Sequence, residues 1–382
     1  MVLPALAIAP GHWRAELELR AGALCYLAGQ VDAAHVHLQQ AANSPETAAS
    51  AGVLLGRLER ERGRGDEAIV LLREAARAAA SQGAQAVECS AYVTLADVYV
   101  QVGRPDEART VLERALALAR AANSPYELAR VYTSLSLFHG WYSHPREAIP
   151  VFRDAKTAQL GARDRTFDAT VHMNWALFSM EHGWLEEAEA AGQIALAIHR
   201  STGRKRGVGL ALAVIGYVAL VDGRCADARE RLFESVALER EVGDPRIECH
   251  ALGFTGLLEL REGQPARAVS VLESATELAR RCHDPMLLAT TLGFLAQAYL
   301  DLGQAESAGR CVEEALATQS AIGRPYARAW IWVVKAGHAL ASGDDEALGT
   351  ALSEVDALVH AVEIGERSDV GQRLALLRAS TR

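Results

Sequence analysis

Between residues 90 and 123 the apolar positions fall on two helical faces, separated by a turn reading Gly103-Arg104-Pro105-Asp106-Glu107-Ala108. The small residue that ends this turn recurs at intervals of forty: Ala68, Ala108, Ala148, Ala188, Ala228, Ala268, Ala308 and, drifting at the last step, Leu348. A fixed period of this length predicts an all-α solenoid of helix hairpins, each packed only on its neighbours. One array of about nine hairpins therefore replaces the two or three globular domains that a chain of 382 residues would normally suggest. The first hairpin spans residues 12 to 44, and a closing helix is expected over residues 366 to 381. The domain reading is an N-terminal extension over 1–11, the solenoid over 12–362, and a capping helix with a tail over 363–382.

Further columns keep the same step. The turn column runs Gly29, Gly63, Gly103, Ser143, Gly183, Gly223, Gly263, Gly303, Gly343. Glycine suits a helix exit where the chain reverses through a left-handed residue. Ser143 is the exception, and the turn around it is expected to be distorted. Second helices should end near Gly83, Asn123, Arg163, Gly203, Gly243, His283 and Gly323, and Pro125, Pro245, Pro285 and Pro325 then open the next hairpin. Small residues also repeat inside the helices, at Gly56, Ala96, Gly216 and Gly256 in first helices and at Ala75, Ala115 and Ala275 in second ones. Such columns let helix backbones approach closely.

Composition changes this picture only at the margins. The net charge of −9, with three lysines among thirty-nine cations, argues against a nucleic-acid surface on this segment. Arginine in place of lysine reads as the coding bias of a high-GC bacterium. Cys25, Cys89, Cys225, Cys249, Cys282 and Cys311 lack paired spacing and read as packing residues in a reducing compartment. No apolar run reaches the ~20 residues of a membrane span, and the N-terminus lacks the plan of a signal peptide. A cytoplasmic protein without a membrane anchor is expected.

Leu95-Ala96, Tyr99, Gly103, Ala108, Leu112 and Ala115 resemble the tetratricopeptide repeat. The forty-residue version is most similar to the sensor region of MalT-like, LuxR-type bacterial transcriptional regulators. The resemblance covers residues 12 to 362 and implies a right-handed superhelix whose inner wall is made by the first helix of each pair. It also implies an interaction or sensing role rather than catalysis. The P-loop and helix-turn-helix of the large regulators have no counterpart here, so an excised sensor segment and a free-standing adaptor both remain open. Where chaperone-tail-binding members place Lys and Asn, this chain has Val93, Thr133, Met173, Ala213, Gly253 and Gly293, so that carboxylate clamp is missing.

No nucleophile triad or carboxylate pair stands out of the helical pattern, so no enzyme, cofactor or metal is expected. Cys249, His250, Cys282 and His283 share one edge, but the spacing of a zinc site is absent. Groove positions implied by the resemblance supply the candidate site: Arg130, Trp141, Met173, Leu177, Met180, Tyr217, His250, Leu257, Arg261, Gln297 and Trp330. They predict an apolar, solvent-exposed stretch in the middle hairpins, suited to a peptide, a protein segment or a small-molecule effector. The polar positions Ser90, Asp97 and Gln101 set it off on one side.

Overall fold

The structure is a computed structural model that describes residues 11–27, 30–162, 164–319 and 324–381. The expected turn residues Gly29, Arg163 and Gly323, and the extension before residue 11, lie outside the described residues. The described chain is helical with no strand, and the helices pair into nine hairpins before one last helix, Asp369–Ser380. The chain divides into two compact units, residues 1–135 and 136–382.

Within the first unit the hairpins are Gly11–Leu27 with Val31–Ala42, Pro45–Glu61 with Gly65–Ser81, and Gln85–Gln101 with Pro105–Ala121, followed by the start of Pro125–Tyr142. Within the second the successive first helices are Arg165–Glu181, Lys205–Val221, Pro245–Arg261, Pro285–Asp301 and Pro325–Ser342. In both units each first helix packs on the first helix of the neighbouring hairpin as well as on its own partner, while second helices make at most marginal contact with one another. First helices therefore line the inner side of the curve in each unit.

The repeating columns explain this packing. A Cβ added to Gly56 would stand 2.5 Å from Cγ of Leu72, and one added to Gly256 would stand 2.4 Å from Cγ of Leu272. Both leucines are fully buried, so the two helices of a hairpin approach over a leucine that needs the missing methyl. The helix-end column behaves as its residues suggest, with Asn123 and His283 at φ 46° and 50° beside the left-handed glycines. Ser143 turns the chain without a positive φ. Its helix runs on to Tyr142, and the Ser143 hydroxyl sits 2.8 Å from Nδ1 of His139.

Candidate functional site

The inner wall of the first unit is a lattice of polar side chains. Arg60 Nη1 donates to Asp97 Oδ2 at 3.2 Å, and the Ser134 hydroxyl donates to Oδ1 of the same carboxylate at 3.2 Å. Arg130 pairs with Glu127 at 3.1 Å and donates to the Ser90 hydroxyl at 2.9 Å. Arg57 reaches Thr94 and Ser90 at 3.3 and 3.4 Å and has no carboxylate partner among the described residues. Burial and the like charge of Arg130 lower its proton affinity, while burial pushes the Asp97 carboxyl up against the pull of Arg60.

The inner wall of the second unit is aromatic and aliphatic. Tyr217 stacks on Phe254 with centroids 4.2 Å apart, and Phe294 meets Trp330 edge-on at 5.2 Å. At one end of this unit the wall closes on itself. The Arg324 guanidinium, just before the last inner helix, lies 4.4 Å over the ring of Trp141 and forms an ion pair with buried Glu181. Burial, opposed by Arg324, raises the Glu181 carboxyl to about 7.

The chain then enters its own wall. Helix Asp345–Val362 ends at Glu363, a left-handed residue with φ 50°, whose carbonyl accepts from His182 Nδ1 at 2.7 Å and whose carboxylate meets His144 Nε2 at 2.8 Å. Gly365 N–H donates to the Glu181 carbonyl at 3.3 Å, so close that a Cβ there would stand 1.9 Å from the His182 carbonyl oxygen. Arg367 makes paired 3.0 Å bonds to Glu186. Ser368, fully buried, caps the last helix by accepting from Gly371 N–H. From that helix Asp369 accepts the Tyr217 hydroxyl at 3.0 Å, Gln372 donates to the Val221 carbonyl at 3.0 Å, and Arg373 covers the Trp330 ring at 4.7 Å. Val370 and Leu374 are buried beneath it.

These positions correct the expectation of an exposed apolar stretch. Met173, Met180, Tyr217, Leu257 and Trp330 are all 5% exposed or less. Leu177 is half-buried against the same core, and Trp141 is half-buried under Arg324. The second unit brings Tyr217, Leu257 and Arg261 together around a cavity of about 250 Å³, whose other wall is Gln372 and Leu376 of the last helix. Arg261 is exposed and donates to the Gln372 amide oxygen at 3.3 Å, and Gln297 is half-buried and bonds Asp301 on the cavity rim. His250 lies 6.3 Å from the Phe254 ring, and burial pulls its imidazole down to about 4. Arg130 belongs to the first unit and its lattice.

Cys249 is fully buried and its thiol donates to the Ala275 carbonyl at 3.2 Å, while His283 serves as the left-handed helix end. Among the described residues no cluster of His, Cys, Asp and Glu has the arrangement of a metal site, and no helix is long and apolar enough to cross a membrane.

Sequence reasoning missed Arg57 and Arg60, the aromatic partners Phe254 and Phe294, and the anchors Glu181, His182, Glu186 and Arg324. Some carry a signal. Arg57 and Thr94, Arg60 and Asp97, Asp97 and Ser134, and Tyr217 and Phe254 are each thirty-seven residues apart, so neighbouring inner helices meet at the repeat length less three.

With this geometry in place, the comparisons are consistent with the fold. The tetratricopeptide repeat family matches residues 46–121. No curated protein sequence matches the chain. Among solved structures, a Rap protein complexed with Competence and Sporulation Factor is similar at a TM-score of 0.62 and 12% identity, over 87% of this chain and 96% of that one. Aspartyl phosphate phosphatase F from Bacillus subtilis is similar at a TM-score of 0.51 and 14% identity, over 87% and 92%. At these identities the likeness is one of fold: an all-α solenoid of the tetratricopeptide-repeat kind.

Proposed function

We propose that the chain is a non-catalytic interaction and sensing module that binds a protein or peptide segment along the inner wall of its second unit. In this reading it serves as the regulatory segment of a MalT-like, LuxR-type bacterial transcriptional regulator. The observation that carries the binding role is that this wall already grips a segment of polypeptide, residues 363–380, through side chains and the backbone carbonyls of Glu181 and Val221. Apolar pockets with a few directed polar groups are how grooves of this kind hold helices and strands. The similar Rap fold was solved with a bound factor, which supports the same use of the fold here. A free-standing adaptor would use the same wall, and the cavity beside Arg261 and Asp301 has room for part of a small effector.

The test is photocrosslinking of the full chain in its native host. Benzoylphenylalanine replaces either Arg261, on the inner rim, or Phe233, exposed on the outer helix Cys225–Val242. A defined product at position 261 and none at 233 is expected. Equal products at both, or products at 233 alone, would move binding off the inner wall.

A further inference from the structure

Resting on that reading, we infer that the wall selects a helical segment carrying arginine, aspartate, glutamine and arginine at the spacing of positions 367, 369, 372 and 373. Residues 363–380 are its resting occupant, and an outside partner enters by presenting the same chemistry in their place. Each contact reads one side chain. Glu186, with Asp222 at 3.5 Å, takes Arg367; the Tyr217 hydroxyl takes Asp369; the free carbonyl of Val221 at the end of an inner helix takes Gln372; the Trp330 face takes Arg373. Val370 and Leu374 supply the apolar side of the segment.

The occupant is built to leave. Its helix is twelve residues long, a length that is marginal in water without tertiary support. The Arg367 pairs are exposed on both sides and so hold weakly. Leu376 is 68% exposed, so the far half of the helix offers an uncovered apolar edge beside the cavity. Upstream, Glu363 is held left-handed by two histidines, a conformation that a residue with a Cβ leaves readily once those contacts break. The tether adds to these contacts by raising the segment's local concentration to the millimolar range, which handicaps any free competitor.

The probe is a fluorescein-labelled peptide with the sequence of residues 363–381, titrated by fluorescence polarisation into the full chain and into the full-chain variant Arg367→Glu/Asp369→Lys. The variant reverses the charge at two of the four selected positions and leaves the wall intact. It should bind the peptide at least about 10-fold more tightly than the unaltered chain, because the tethered competitor is weakened. A peptide carrying the same two substitutions should not bind. Equal, weak binding by both chains overturns the inference and makes the segment a permanent closure.

If the variant loses its helical circular dichroism, hydrogen exchange on the unaltered chain decides. Excess peptide should speed exchange across 365–380 while the inner helix Lys205–Val221 stays protected. Unchanged exchange overturns the inference. Crosslinking at position 261 without peptide binding removes this inference alone and leaves the proposed function standing.

Discussion

The inner walls of the two units are made by the same helix of the same repeat and are finished in opposite ways. In the first unit the wall is polar, and its groups answer one another from helix to helix, as in the chain Arg60, Asp97, Ser134. The polar groups of such a wall are satisfied by its own neighbours. In the second unit the same face carries Tyr217, Phe254, Phe294 and Trp330, which have a large apolar area and few internal partners. Residues 363–380 lie on part of that area, at Tyr217 and Trp330. The difference lies in the side chains at a handful of columns, since the hairpins beneath follow one plan.

The sharpest way to break the comparison is to remove the cover. Gly365→Val places a Cβ where the His182 carbonyl oxygen stands 1.9 Å away, on backbone that cannot step aside. Hydrogen exchange over 365–380 should rise about 100-fold, equivalent to ~2.7 kcal/mol of lost docking. Unaltered protection would mean that the segment is not held by this approach. A second pair of substitutions checks that the frames are alike. Gly56→Val and Gly256→Val both drive side-chain carbon into a fully buried leucine, and each should cost about 2 kcal/mol in urea unfolding. A cost confined to one of them would show that the hairpins differ beneath the walls.

What the sequence revealed divides along the same line. Period, turn column and small-residue columns gave hairpin boundaries close to those observed, because they express contacts between residues near in the chain. The polarity of Ser90 and Asp97 was legible too, and so in principle was the step of thirty-seven that joins Arg60 to Asp97 and Tyr217 to Phe254. The cover was not. Most of its contacts join residues 111 to 219 positions apart, as in Arg261 with Gln372 and His144 with Glu363, and no period relates them. Tyr217 and Trp330 are therefore buried where their place in the repeat suggests exposure. The same lack of period hid Arg324, which reaches Glu181 across the second unit.

A milder pair of changes sharpens the contrast in what each wall's polar groups do. Asp97→Leu strands Arg60 and Ser134, and should cost the first unit about 1–2 kcal/mol, seen as faster exchange in helix Gln85–Gln101. Tyr217→Phe removes one donor from Asp369, and its cost of about 1 kcal/mol should appear in the exchange of residues 365–380. If Tyr217→Phe leaves the segment as protected as before, the hydroxyl is not a point of selection.

The smallest expected effect lies behind the walls, at a buried carboxylate in a second-helix column. Ala79, Ala119 and Ala279 are buried on second helices, and the same column carries Glu239, also fully buried. Gly209 opposite makes the room, since a Cβ there would stand 1.8 Å from Glu239 Oε1. Neither carboxylate oxygen finds a hydrogen-bond partner among the described residues. Burial, reinforced by nearby Asp244, raises the carboxyl from 4.5 to about 7. The folded chain then holds a proton that the unfolded chain has released, so stability falls as pH rises between 4.5 and 7 and the loss is complete above that. Glu239→Gln keeps the shape and removes the titration. Against the unaltered chain it should gain little at pH 5 and about 1 kcal/mol at pH 8, a rise of a few degrees in Tm. Urea unfolding at both values measures the difference. A variant that tracks the unaltered chain at both pH values would mean that Glu239 finds a partner or water in solution.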